Sequence, residues 1–135
     1  MPPRKRVLES PGIWMARAKS NLTRARQAKP QDVFWEDLCF DAQQAAEKAL
    51  KALLLTRGVT FRKTHDLGEL MTNLEQSDLP VPSSIRPATA LTDFAALARY
   101  PGAFEPATEE EYREALQLAE LVYAWADSEI AKSVT

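Results

Sequence analysis

Histidine, cysteine and glycine are scarce: the 135 residues hold one His, one Cys and four Gly. A single cysteine, Cys39, forms no internal disulfide and holds no zinc alone, and a single histidine, His65, removes every scheme that needs two imidazoles. There is no glycine-rich phosphate loop, no Gly-x-Ser-x-Gly elbow and no His-Glu-x-x-His metal helix. No cofactor and no metal are therefore predicted. The longest unbroken apolar run, Leu121 to Ala126, is far below the ~20 residues of a membrane helix. Behind Met1-Pro-Pro-Arg-Lys-Arg6 lies no apolar stretch of the kind a secretory signal uses. No segment alternates cleanly at period two, and β-branched residues are few, which excludes a sheet. The expectation is an all-α chain in a reducing, cytoplasmic setting, with no membrane partner.

What is present fits a folded chain. Hydrophobic residues make up 45% and charged residues 27%, with a formal charge of -2, which excludes a disordered or collagen-like polymer. The charge is unevenly placed. Residues 1–30 carry eight Lys or Arg against Glu9, while residues 105–130 carry eight acids against Arg113. A basic first segment attracts phosphate. The simpler reading is that the first and last helices face one another, within one subunit or across a dimer.

Nine prolines section the chain. Proline inside a helix costs about 3 kcal/mol, so helices are expected between them. Residues 1–9 read as a flexible basic N-terminus and 10–132 as one domain. Ser10-Pro11 predicts a capped start for a first helix, with Trp14, Met15, Ala18, Leu22 and Ala25 as its buried stripe and Pro30 as its end. A second helix is predicted over about Gln31 to Arg57 on the spacing of Phe34, Leu38, Ala42, Ala45, Ala49 and Leu53, with Gly58 as terminator. A third starts at Thr64-His65-Asp66-Leu67, capped either by Thr64 or by Asp66 with Glu69. A fourth starts near Pro87, buries Leu91, Phe94, Ala95 and Ala98, and stops before Pro101. Thr108-Glu-Glu-Glu111 opens the last as a capping box. Four to five helices joined by short loops predict an antiparallel up-and-down bundle.

Candidate chemistry is sparse. Cys39 reads as a buried, inert thiol. Trp14, Trp35 and Trp125 read as core or interface anchors rather than stacking platforms. His65 either caps or packs at a helix start, or meets a phosphate or a base. Three phrases are richer than packing requires. Gln43, Gln44, Glu47, Lys48 and Lys51 lie three and four apart on one helix. Thr64-His65-Asp66-Leu67 follows the basic pair Arg62-Lys63. Arg99-Tyr100-Pro101-Gly102 stands at the exit of the fourth helix. Where these converge, Lys51, His65 and Arg99 would hold phosphate and Tyr100 would stack on a base or ribose.

The three phrases in this order, Asp41-x-Gln-Gln-Ala-Ala-Glu-Lys-Ala-Leu-Lys51, Thr64-His-Asp-Leu67 and Arg99-Tyr-Pro-Gly102, resemble the HEPN domain (higher eukaryotes and prokaryotes nucleotide-binding), from about Trp14 to Ala126. The resemblance implies a helical bundle, usually a homodimer, often beside a minimal nucleotidyltransferase. Some relatives are toxin ribonucleases, and others are thought to bind nucleotides. The candidate ligand-binding set is then Lys48, Lys51, His65, Asp66, Arg99 and Tyr100, for a nucleotide or RNA. Ribonuclease members carry an arginine with a histidine four to six positions later. Here Arg62 stands only three before His65, and Ala, Phe and Glu occupy 103 to 105 after Arg99. That departure argues against an enzyme. Two alternatives stay open: a toxin-type endoribonuclease of a toxin–antitoxin pair, using His65 as general acid or base and Arg99 on the phosphate, and a non-catalytic helical adaptor dimer.

Overall fold

A computed structural model describes residues 1–97, 100, 102 and 104–133. Five α-helices follow in order, α1 (Pro11–Ala25), α2 (Trp35–Thr56), α3 (Leu67–Gln76), α4 (Asp93–Leu97) and α5 (Glu109–Ser133), with a 3₁₀ helix, Arg86–Thr92, running directly into α4. Among the described residues there is no strand, and no helix is long and apolar enough to cross a membrane.

The centre of the bundle is α2, which packs against α1, α3, α4 and α5. Its buried residues lie on every side, the pattern of a helix enclosed by neighbours. Ala42, Ala45, Ala46, Ala49 and Ala52 are buried there, as are Ala18 and Ala25 of α1 and Ala115, Ala119 and Ala126 of α5. Small side chains on facing helices shorten the distance between axes, so α1 and α5 lie close on α2. The larger buried groups, Leu22, Leu50, Leu53, Leu54, Leu70 and Leu74, belong to the same core cluster. Arg26, the residue that caps the end of α1, pairs with Glu120 of the acidic α5 at 3.6 Å.

The caps decide where helices start. Ile13 N–H donates to Ser10 Oγ at 3.2 Å, opening α1 where the sequence places it. Thr108 and Glu111 exchange hydrogen bonds, Thr108 N–H to Glu111 Oε1 and Glu111 N–H to Thr108 Oγ1, both at 3.1 Å, which is the predicted capping box. Of the two candidates at α3, Asp66 is the cap, accepting from the N–H of Gly68 and Glu69 at 2.9 and 3.3 Å. Glu69 does not close a box there, because its carboxylate is taken by Arg62. At the end of α2, Gly58 has φ +69°, and Val59 and Gly58 N–H reach back to the carbonyls of Leu54 and Leu55. That pair of bonds satisfies the last helical carbonyls.

Three expectations are corrected. α1 ends at Ala25 rather than at Pro30, and α2 begins at Trp35 rather than Gln31. Proline disfavours helical geometry in the residue before it, which ends α1 short of Pro30, and Phe34 N–H donates to Asp37 Oδ2 at 3.2 Å where α2 starts. Lys29 Nζ pins this turn by donating to the carbonyl of Val33 at 2.7 Å. The fourth segment is mostly 3₁₀ rather than α. Its buried pair Ala88 and Leu91 are three apart, the spacing that aligns side chains on a three-residue turn. Ala98, expected in its buried face, lies outside the described residues.

Candidate functional site

Four-residue spacing on α2 stacks Gln43, Glu47 and Lys51 on one side, and all three are buried. Glu47 is the hub. Its Oε2 takes Lys51 Nζ at 2.8 Å, and its Oε1 takes Gln43 Nε2 at 3.0 Å and lies 2.8 Å from His65 Nδ1. Gln43 Nε2 also donates to the main-chain carbonyl of His65 at 3.3 Å, and Gln44 Nε2 donates to Gln43 Oε1 at 2.8 Å. The connection after α2 is thereby fastened to the helix at His65. Burial on its own pushes the Glu47 carboxyl up. The hydrogen bonds from Lys51, Gln43 and His65, together with the Lys51 charge, outweigh it and hold the carboxyl below the ordinary glutamate value. Because an ionised carboxylate only accepts, the hydrogen between the two groups sits on His65 Nδ1.

Outside this hub lies a hollow of about 720 Å³. Trp14 and Phe61 give it aromatic walls, Lys51, Lys63 and His65 its basic groups, and Thr60 and Thr64 its hydroxyls, with Glu9 as the acid. Lys51 Nζ stands 5.5 Å from the centre of the Trp14 ring, so one ammonium is held between a carboxylate and an aromatic face.

A second network runs along the α1–α2 contact. Buried Asn21 donates through Nδ2 to Asp41 at 2.9 Å and accepts Lys48 Nζ at 2.7 Å, while Arg24 reaches Asp41 from the surface at 3.0 Å. Burial lowers the Lys48 pKa, and Arg17 and Arg24 push the same way against Glu47 and Asp41. Lys48 borders a smaller depression of about 350 Å³ with Ile13 and Arg17, which shares the Trp14 wall with the larger hollow.

Of the residues singled out in the sequence, Lys51 and His65 meet, on the two oxygens of one carboxylate. Lys48 is directed into the Asn21 network, and Asp66 caps α3. Tyr100 is exposed and is not among the residues lining the hollow, so the expected convergence of phenol and imidazole is not seen there. Arg99 and Pro101 lie outside the described residues. Arg62 pairs with Glu69 on the surface instead of turning toward His65. Trp14, expected as a core or interface anchor, and Thr64, expected as a cap candidate, line the hollow with Thr60 and Phe61, because α1 and the α2–α3 connection become neighbours only in the tertiary structure. A buried thiol is found as expected at Cys39, whose pKa is pushed up to about 12, by burial first and then by Glu111 and Glu36. Among the described residues no three His, Cys, Asp or Glu side chains are arranged to hold a metal ion.

Comparison with known proteins bears on the same region. TT1696 from Thermus thermophilus superposes with a TM-score of 0.76 at 32% identity, over 88% of this chain and 97% of that one. ST0689, an archaeal HEPN homologue, superposes with a TM-score of 0.73 at 28% identity, over 91% of this chain and 99% of that one. No protein of curated function matches. The family model for the HEPN domain matches residues 12–130, a stretch that includes the Glu47 hub and nearly all of α1 and α5. On that match and that shared bundle, the chain belongs to the HEPN domain family.

Proposed function

We propose that the chain is a nucleotide-binding homodimer that acts with a minimal nucleotidyltransferase partner, and that the hollow beside His65 is its ligand site. The observation that carries this reading is the meeting of aromatic walls, Trp14 and Phe61, with Lys51, Lys63 and His65 around one space. A base laid on an aromatic face gains about 1–3 kcal/mol by stacking. Lys63 is exposed and supplies a mobile charge for phosphate, while Lys51 is fixed by Glu47. A fixed ammonium has no rotamer freedom left to lose when a ligand arrives.

Isothermal calorimetry with ATP, AMP and adenosine tests this. Saturable binding of a phosphorylated ligand, at least tenfold weaker in Lys63→Ala and weaker again for adenosine, supports it. Lack of binding by all three, or binding indifferent to Lys63→Ala, overturns it. A small nucleotidyltransferase reading frame beside the gene would support the partner.

One observation favours a second reading, the endoribonuclease. Glu47 fixes the tautomer and direction of the His65 ring, which is how an imidazole is held for general acid–base work. RNA cleavage lost in His65→Ala would establish that reading; an inert protein would dismiss it.

A further inference from the structure

On the side of the bundle formed by the 3₁₀ helix, α4 and the first half of α5 lies an apolar groove of about 490 Å³. Phe94, Leu97 and Leu118 give it an apolar floor, and Asp93, Glu111 and Glu114 give it acidic groups. The hollow beside His65 shares none of these residues. An occupant must present apolar side chains next to positive charge.

This chain carries such a segment. Arg4-Lys5-Arg6 is followed by Val7 and Leu8, which are 78% and 90% exposed where they border the small depression beside Trp14 of their own chain. Residues 1–30 carry an excess of positive charge and residues 105–130 an equal excess of negative charge. The segment does not reach the groove of its own chain. Tyr112, next to Glu111, donates to the carbonyl of Ala25 at the far end of α1. The 15 residues of α1 put Pro11 about 22 Å from that contact. Leu8, three residues ahead of Pro11, extends only about 10 Å from it.

We infer that the groove takes residues 4–8 of a second copy of this chain, the two copies exchanging arms about a twofold axis. The inference rests on the homodimer part of the reading above. Val7 and Leu8 then lie on the floor of the partner's groove while Arg4, Lys5 and Arg6 meet Asp93 and Glu114. A twofold exchange makes both contacts twice and leaves no groove open, so assembly stops at two.

Sedimentation equilibrium of the full chain tests it with variants confined to exposed residues. Wild type is expected to be a dimer that weakens as salt rises. Reversal of the arm (R4E, K5E and R6E together) or of the groove (D93R with E114R) is expected to raise the dissociation constant more than tenfold. So is Leu8→Ser, which removes the apolar anchor and leaves the charge alone. An equimolar mixture of the arm-reversed and groove-reversed chains is expected to recover a dimer, since each arm again faces a groove of opposite sign. A wild-type monomer at every concentration overturns both this inference and the homodimer. A dimer unmoved by Leu8→Ser, or a charge-reversed mixture that stays monomeric, overturns the exchanged arms and leaves the homodimer standing.

Discussion

Glu47 and His65 are 18 residues apart, yet a carboxylate oxygen of one lies 2.8 Å from Nδ1 of the other. The same carboxylate holds Lys51 on its second oxygen, so one buried acid ties a helix, a connection and a wall of the hollow together. Glu47→Gln keeps the size and removes the charge, leaving the Lys51 ammonium buried without its counter-ion. Breaking one partner of a buried pair costs about 3 kcal/mol. Urea denaturation of the variant is expected to show a loss of that order, with the same helical content by circular dichroism. A loss under about 0.5 kcal/mol, the size of an ordinary surface change, would contradict the hub.

The direction of the Glu47 shift gives a pH dependence. Its folded pKa lies below that of an unfolded glutamate, about 4.3. The contribution is therefore complete above that value and is lost as pH falls through the folded pKa. Stability measured from pH 6 down to pH 3 is expected to fall less steeply in Glu47→Gln than in wild type. Parallel curves would show that this carboxyl is not displaced.

Along the α1–α2 contact, two substitutions separate buried from exposed polar work. Asn21→Ala strips Lys48 and Asp41 of the group they share and is expected to cost about 1–3 kcal/mol. Arg24→Ala removes a guanidinium that is 64% exposed and is expected to cost under about 1 kcal/mol. Thermal melts of the two variants rank them. Equal costs would mean that Asn21 is not the bridging group.

The fold was legible where the signal is local. Ser10 and the Thr108–Glu111 box act within one helical turn, and the spacing of Leu38, Ala42, Ala45, Ala49 and Leu53 marks α2 as a long helix. The Gln43–Glu47–Lys51 stack was legible too, because four residues is the helical repeat. The site was less so. Asn21 with Asp41 spans 20 residues, and Trp14 with Lys51 spans the α1–α2 packing, so only tertiary structure makes these neighbours. A usable hint was present: Asp41, Gln43, Glu47 and Lys51 interrupt a helix whose other buried residues are alanine, leucine and Cys39, and a polar group on a buried face needs a partner from elsewhere. Trp14 read as core because a tryptophan on a helical stripe usually is, whereas here the ring also faces a hollow.

Because His65 is the only histidine, its ring carbon–hydrogen signals stand alone in a proton–carbon NMR spectrum. Following them while AMP or ATP is added tests the ligand site most directly. Saturable shifts are expected with the dissociation constant found by calorimetry, and with one at least tenfold larger in Lys63→Ala. Signals that stay in place while nucleotide saturates the protein would put the ligand elsewhere on the bundle.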